Sequence, residues 1–150
     1  MKPGIDYIGV TVTFYCTDGK GNWAFHKRSQ KCRDEQGHWD CGGGTLEFGE
    51  SFEEGVLREV AEEYGCKGSI LQQLPPMNRI RMNNGVATHW VSLAFIIKVN
   101  PKEVRINEPA AMDDIGWFTL DNLPQPLHST IPLRLKEQAE YFKPFLTPQP

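Results

Sequence analysis

None of the four cysteines, Cys16, Cys32, Cys41 and Cys66, stands two residues from another, so the chain has no C-x-x-C pair and indicates neither a zinc site nor a dithiol redox motif. A disulfide framework is not expected at this size, and reduced thiols in a cytoplasm are the default. No apolar run reaches membrane-spanning length and no signal-peptide core opens the chain, so no membrane partner is expected. Positive charge is not in surplus either. The net charge is −3, which leaves no footprint for a nucleic-acid polymer. Repeats and low-complexity tracts are lacking, and only 147–150 reads as a flexible tail. What remains is ordinary globular composition, 39% hydrophobic and 23% charged over 150 residues, enough for one domain spanning 1–150 with a proper core.

Carboxylate, by contrast, is concentrated. Between Gly44 and Cys66 lie Glu47, Glu50, Glu53, Glu54, Glu59, Glu62 and Glu63, with Arg58 as the one base; seven acids against one base give −6, leaving about +3 for the rest of a chain whose total is −3. Ser51 with Glu54 three residues on forms a capping-box pattern, good helix formers run from Phe52 to Tyr64, and Gly65 supplies the stop. At about 100° per residue, Val56, Leu57, Val60 and Tyr64 fall on one face, with Glu59, Glu62 and Glu63 flanking or opposing it. Like charges at i,i+3 and i,i+4 oppose the helix by roughly 0.2–0.5 kcal/mol per pair. A bound divalent cation reverses that sign. Acidic faces are ordinarily solvated, but the flanking glycines and the fixed spacing argue for a site.

The spacing is Gly44, five residues, Glu50, seven residues, then Arg58-Glu59-Val60-Ala61-Glu62-Glu63-Tyr64-Gly65-Cys66. It resembles the Nudix box, G-x5-E-x7-R-E-U-x-E-E-x-G-U with U a bulky aliphatic residue. Cys66 stands at the last aliphatic position, where a small buried thiol can replace Val or Ile. Upstream, Gly42 stands where many members of the family carry proline. The resemblance implies a hydrolase that uses Mg²⁺ or Mn²⁺ to cleave the diphosphate bridge of a nucleoside diphosphate linked to another group X. It also implies metal ligation by Glu59, Glu62 and Glu63 with a backbone carbonyl of Gly43 or Gly44, a general base in Glu59 or Glu62, and an Arg58 that orients Glu50 or an acid of the helix. Such a donor set suits magnesium, which takes oxygen ligands and keeps waters. A diphosphate repels hydroxide, so its hydrolysis needs that neutralisation.

Around the box, Tyr7–Cys16 and Trp23–Lys27 read as strands joined by a turn at Asp18-Gly19-Lys20-Gly21. Arg28–His38 reads as a loop leading through Trp39–Asp40 into the glycine run. Ser69–Leu74 reads as a strand ended by Pro75-Pro76, Asn83-Asn84-Gly85 as a second hairpin turn, and His89–Val99 as a central strand because it is nearly all apolar. Asp114–Phe118 reads as a last strand and Ile131–Phe145 as a C-terminal helix with Pro132 in its first turn. The fold class is α/β, a mixed β-sheet between helices, and the resemblance implies the Nudix-type α/β/α sandwich.

Substrate choice has to come from outside the box. His26, Lys27, Arg28, Lys31 and Arg33 upstream, with Arg79 and Arg81 downstream, supply positive charge for phosphates. Trp23, Phe25, Trp39, Trp90, Trp117 and Phe118 are candidates for stacking a base, although most aromatics are core. Asp113-Asp114-Ile115-Gly116-Trp117-Phe118 is similar to a late Nudix segment in which an acid adds a metal ligand or reads a base edge. The residues that mark dinucleotide-polyphosphate and ADP-ribose enzymes beyond the box are missing. The expected partner is therefore a small nucleotide, a nucleoside triphosphate or a related, oxidised nucleotide. Alternatives are an isopentenyl-diphosphate isomerase-like enzyme using Cys41 and Glu47, and a nucleotide-sensing domain without turnover. Many members are homodimers, and by that analogy so is the expected assembly.

Overall fold

The computed structural model describes residues 1–148; of the tail expected at 147–150, the last two positions lie outside the described residues. An eight-stranded mixed sheet is built around two long strands, β1 (Gly9–Thr17) and β7 (Val86–Val99), which run parallel. The other edge of β7 is shared. Its first half pairs with β6 (Met77–Asn83) and its second half with β5 (Gly68–Gln73). On the far side, β1 meets β2 (Trp23–Arg28) only at Thr17↔Trp23. Beyond that pair the two strands part, and the gap receives β3 (Trp39–Asp40) against β2 and β4 (Gly42–Thr45) against β1. β8 (Met112–Phe118) covers the remaining edge of β2.

Alternation along the strands sends side chains to both faces. Val12, Phe14 and Cys16 of β1 and Leu93, Phe95 and Ile97 of β7 pack under α1 (Phe52–Tyr64), against Val56, Val60 and Tyr64. Tyr15, Ala94 and Ile96 point the other way, with Trp23 and Phe25. They meet Ile131 of α2 (Thr130–Glu137) and Phe142 of α3 (Ala139–Phe142). Each large apolar side chain fully buried contributes about 1.5–3 kcal/mol, so neither helical layer is dispensable. Ser51 Oγ accepts from the Glu54 N–H at 3.1 Å, and Gly65 closes α1 at φ 65°.

The differences from expectation have local causes. The first strand starts at Gly9 because Tyr7 bridges back to Pro3 in a tight turn. The central strand starts at Val86 because Asn84 and Gly85, at φ 50° and 79°, make a two-residue turn whose twist suits a hairpin. β8 begins at Met112, ahead of Asp114. The glycine run is a strand, since β1 offers it an edge. The C-terminal helix is not continuous over 131–145. It breaks at Gln138 (φ −118°), whose side chain is taken by the Arg134 guanidinium at 2.7 Å and by the Pro75 carbonyl at 2.8 Å. Among the described residues no helix is long and apolar enough to cross a membrane.

Candidate active site

Arg58 is the hub of the acidic face. Its Nε and Nη2 donate to the two oxygens of Glu50 at 3.0 and 2.7 Å, and its Nη1 donates to Glu59 at 2.7 Å and Glu62 at 3.2 Å. A fork clamped this way fixes the carboxylate plane. The guanidinium, helped by the Glu47 N–H, holds the Glu50 carboxyl down to about 2. Nη2 also donates to the Thr45 carbonyl at 3.2 Å, which ties α1 to the outer edge of β4.

That edge faces the site. Leu46 N–H bonds to Val10 within the ladder at 3.0 Å, and alternate residues of an antiparallel strand turn their polar groups outward. The Gly43 N–H accordingly leaves the ladder and donates to Glu63 Oε2 at 2.8 Å, and its carbonyl shares the same outward side. Gly44 pairs inward with Val12, so of the two glycine carbonyls only that of Gly43 is presented to α1. Close approach explains the missing side chains. A Cβ on Gly44 would lie 2.2 Å from the Glu59 carboxylate, and one on Gly42 would lie 1.8 Å from the Phe14 ring.

Glu59 and Glu63 are buried, whereas half of the Glu62 side chain is exposed. Burial pushes the Glu63 carboxyl well up, with only the Gly43 N–H pulling it down, and burial raises Glu59 against the opposing pull of Arg58. The three acids are not gathered at one point. Among the described residues no cluster of three ligating side chains forms, because like charges repel and Arg58 draws Glu59 and Glu62 toward itself while Glu63 turns to Gly43.

From Gly43, Gly44 and Glu63 a cavity of about 320 Å³ opens onto the other face of the sheet, beside α2. Arg28, Arg33, Arg79 and Arg81 line it. Arg28 is occupied by Asp34 at 2.8 Å and Asp40 at 3.2 Å, and Arg81 stands 3.6 Å from Glu35. Arg79 is buried, and its Nη1 has no hydrogen-bond partner. His26 also lines the wall, but it brings no charge: burial lowers its pKa to about 4, and Nδ1 hydrogen-bonds Tyr64 Oη at 2.8 Å.

Asp113, Asp114 and Trp117 lie elsewhere, on β8. Both acids are exposed, Asp114 caps the Ile115 N–H at 2.8 Å, and Trp117 packs into the layer under α1. Trp23 and Phe25 are core, not stacking platforms. Cys41 borders the cavity, but its thiol is buried and pushed up by burial, while the exposed Glu47 leans toward Arg58 at 3.7 Å. The structure does not bring that pair together. Sequence reasoning missed Thr13, Ser92 and Asp40 on the cavity wall. Their signal is a polar residue interrupting an apolar strand, as Ser92 does within His89–Val99.

The fold and the box together place the chain in the NUDIX domain family, whose model matches residues 8–139. A MutT NUDIX hydrolase structure from Burkholderia pseudomallei superposes with a TM-score of 0.76 at 30% identity, over 87% of this chain and 98% of that one. The NAD-capped RNA hydrolase NudC of Pectobacterium carotovorum is 32% identical over 97 residues, 64% of this chain and 35% of its own length. The NudC of Chromobacterium violaceum is 34% identical over 97 residues, covering 64% and 34%. The chain thus spans about a third of the length of these two curated relatives.

Proposed function

We propose that the protein is a Mg²⁺-dependent pyrophosphohydrolase that cleaves the diphosphate linkage of a nucleoside diphosphate joined to X, with nucleoside triphosphates and related, oxidised nucleotides as the substrate class. The observation that carries this reading is one cavity with Glu63 of the carboxylate helix and Gly43 at one end and arginines along its wall. The names of the relatives, hydrolases, agree with the reaction type. Their RNA substrate is not carried over, because the match covers only about a third of those proteins. Four free cysteines suit a reducing cytoplasm.

The residues fit a hard divalent cation. The buried Glu63 carboxylate has one N–H donor and a raised pKa, a cost that a neighbouring cation removes. The available donors, the carboxylates of Glu59, Glu62 and Glu63 and the Gly43 carbonyl, are all oxygen, as magnesium prefers. When bound, the cation would neutralise phosphate oxygens and acidify a water. The protein's own residues do the rest. Arg58 anchors Glu50 and steers Glu59 and Glu62. Glu59 or Glu62 takes the proton of the attacking water, and burial favours proton uptake by Glu59. Arg33 and Arg81 hold the phosphates in line.

The test is turnover of a panel of nucleoside triphosphates, oxidised nucleotides, nucleotide sugars and dinucleoside polyphosphates with Mg²⁺, with Glu62→Gln in parallel. Glu62 is half exposed, so the variant should fold normally and lose roughly 10³-fold or more in kcat. Unchanged turnover in the variant would overturn the assignment.

A further inference from the structure

Among the described residues, two arginines on the far side of the cavity make no ion pair; Glu137 acts on Arg79 only at long range, beyond ion-pair distance. Arg134, 2% exposed, donates only to neutral oxygens, Ser92 Oγ and Gln138 Oε1, both at 2.7 Å. Arg79, 9% exposed, has the Met77 sulfur at 3.9 Å from Nη2 and nothing on Nη1. Among the described residues neither has an ion-pair partner. Buried cations are normally paired, because desolvation without a counter-charge is expensive.

Two hydroxyls lie on the same face of the sheet as Arg79 and line the same cavity. Thr13 Oγ1 is buried with no partner. Ser92 accepts from Arg134, which leaves its own O–H free to donate. Register puts these groups together. Thr11 pairs with Ser92 and Thr13 with Ala94 across β1 and β7, and Met77 with Ser92 and Arg79 with Trp90 across β6 and β7. Thr13, Ser92 and Arg79 therefore share the α2 face, and all three line the cavity.

We propose that this end of the cavity is an anion subsite, in which Arg79 Nη1, Thr13 Oγ1 and Ser92 Oγ receive a phosphate or carboxylate group of the substrate beyond the diphosphate that is cleaved. The preferred substrate is then one whose group remote from the scissile bond carries its own negative charge. A nucleoside triphosphate meets this requirement with its terminal phosphate, whereas a neutral nucleobase placed here would leave the buried guanidinium uncompensated. Asp40, also on the wall, does not supply the counter-charge, because it is engaged by Arg28 at 3.2 Å. This rests on the reading of the cavity as the substrate site, but it can be tested without catalysis.

The experiment titrates metal-free protein in EDTA with inorganic phosphate and, separately, malonate, following heat of binding and the thermal midpoint. Wild type should bind with a dissociation constant in the millimolar range and gain stability; Arg79→Met should weaken binding at least about tenfold. Without anion, Arg79→Met should melt at or above the wild-type temperature, because an uncompensated buried charge has been removed. Should Arg79→Met fail to fold, Ser92→Ala and Thr13→Val carry the test, each weakening binding about three- to tenfold. Stronger binding of phosphate or of malonate identifies the group. Equal binding by wild type and all variants, or no binding by wild type, overturns the subsite. Glu62→Gln should keep the phosphate response, so failure of the hydrolase reading and failure of the subsite give different results.

Discussion

His26 sits in the basic stretch upstream of the glycines, yet its imidazole is neutral in the fold. Burial outweighs the pull of Asp40 and brings its pKa to about 4, with Arg28 and His128 adding to the lowering. The unfolded chain protonates at about 6.5, so the stability this group contributes is present above that pH and is lost as the pH falls from there through about 4. His26→Gln should therefore flatten the acid side of the stability curve. Between pH 7 and 4.5, urea unfolding of wild type should lose about 1–3 kcal/mol more than unfolding of the variant. An equal loss in both would mean that the ring is already protonated. The sequence shows His26 as one more basic residue. Its neutrality comes from burial, and Tyr64, whose hydroxyl meets the ring at 2.8 Å, lies on the helix and comes close only through the fold.

At the scale of the element, β4 joins the two faces of the sheet, and its glycines differ in what they make room for. Gly42 leaves space for the ring of Phe14, fixed in the core; Gly44 leaves space for the end of the Glu59 side chain, which can swing. Gly42→Ala should cost about 1–3 kcal/mol or more of stability, as overpacking does. Gly44→Ala should leave the thermal midpoint nearly unchanged and reduce kcat by about 10²-fold, because Glu59 is displaced from Arg58 and from the site. Similar melting losses for both would contradict this division. α1 was legible from its ends, since Ser51, Glu54 and Gly65 are local signals, and the box spacing gave the acids. β4 was not legible, because glycine has low strand propensity; its extended form comes from the open edge of β1. The break at Gln138 was hidden for the same kind of reason, as the residues that hold it, Arg134 and the Pro75 carbonyl, meet only in three dimensions.

On the scale of the whole molecule, the Arg28–His38 loop is fastened to the start of α2 by one residue. Glu35, at φ 46°, accepts from the Ser129 N–H at 2.7 Å and the Ser129 hydroxyl at 3.0 Å, and faces His128 Nε2 at 2.7 Å. A non-glycine residue in that conformation costs of order 1 kcal/mol or more, and its partners offset it. The loop carries Arg33 and Asp34 into the cavity wall. Glu35→Ala should speed amide exchange at Gly37 and His38 and raise KM about three- to tenfold with little change in kcat. A fall in kcat at constant KM would show that the loop acts on the chemistry itself. No stretch of sequence announces this clasp, since Glu35 and Ser129 are 94 positions apart.

The parting of β1 from β2 beyond Thr17 and Trp23 has a further effect. One short piece of chain, broken at Cys41, belongs to both strands, so on the proposed reading cutting and choosing fall on opposite sides of one thin seam. The cutting side is committed: its helix, its arginine and its glycines constrain one another. The choosing side is assembled from β1, β6, β7, the start of α2 and the Arg28–His38 loop, none of which contributes to the box. On that reading, substitutions in the far wall should change which molecules are accepted while the carboxylates and Arg58 of the box stay as they are.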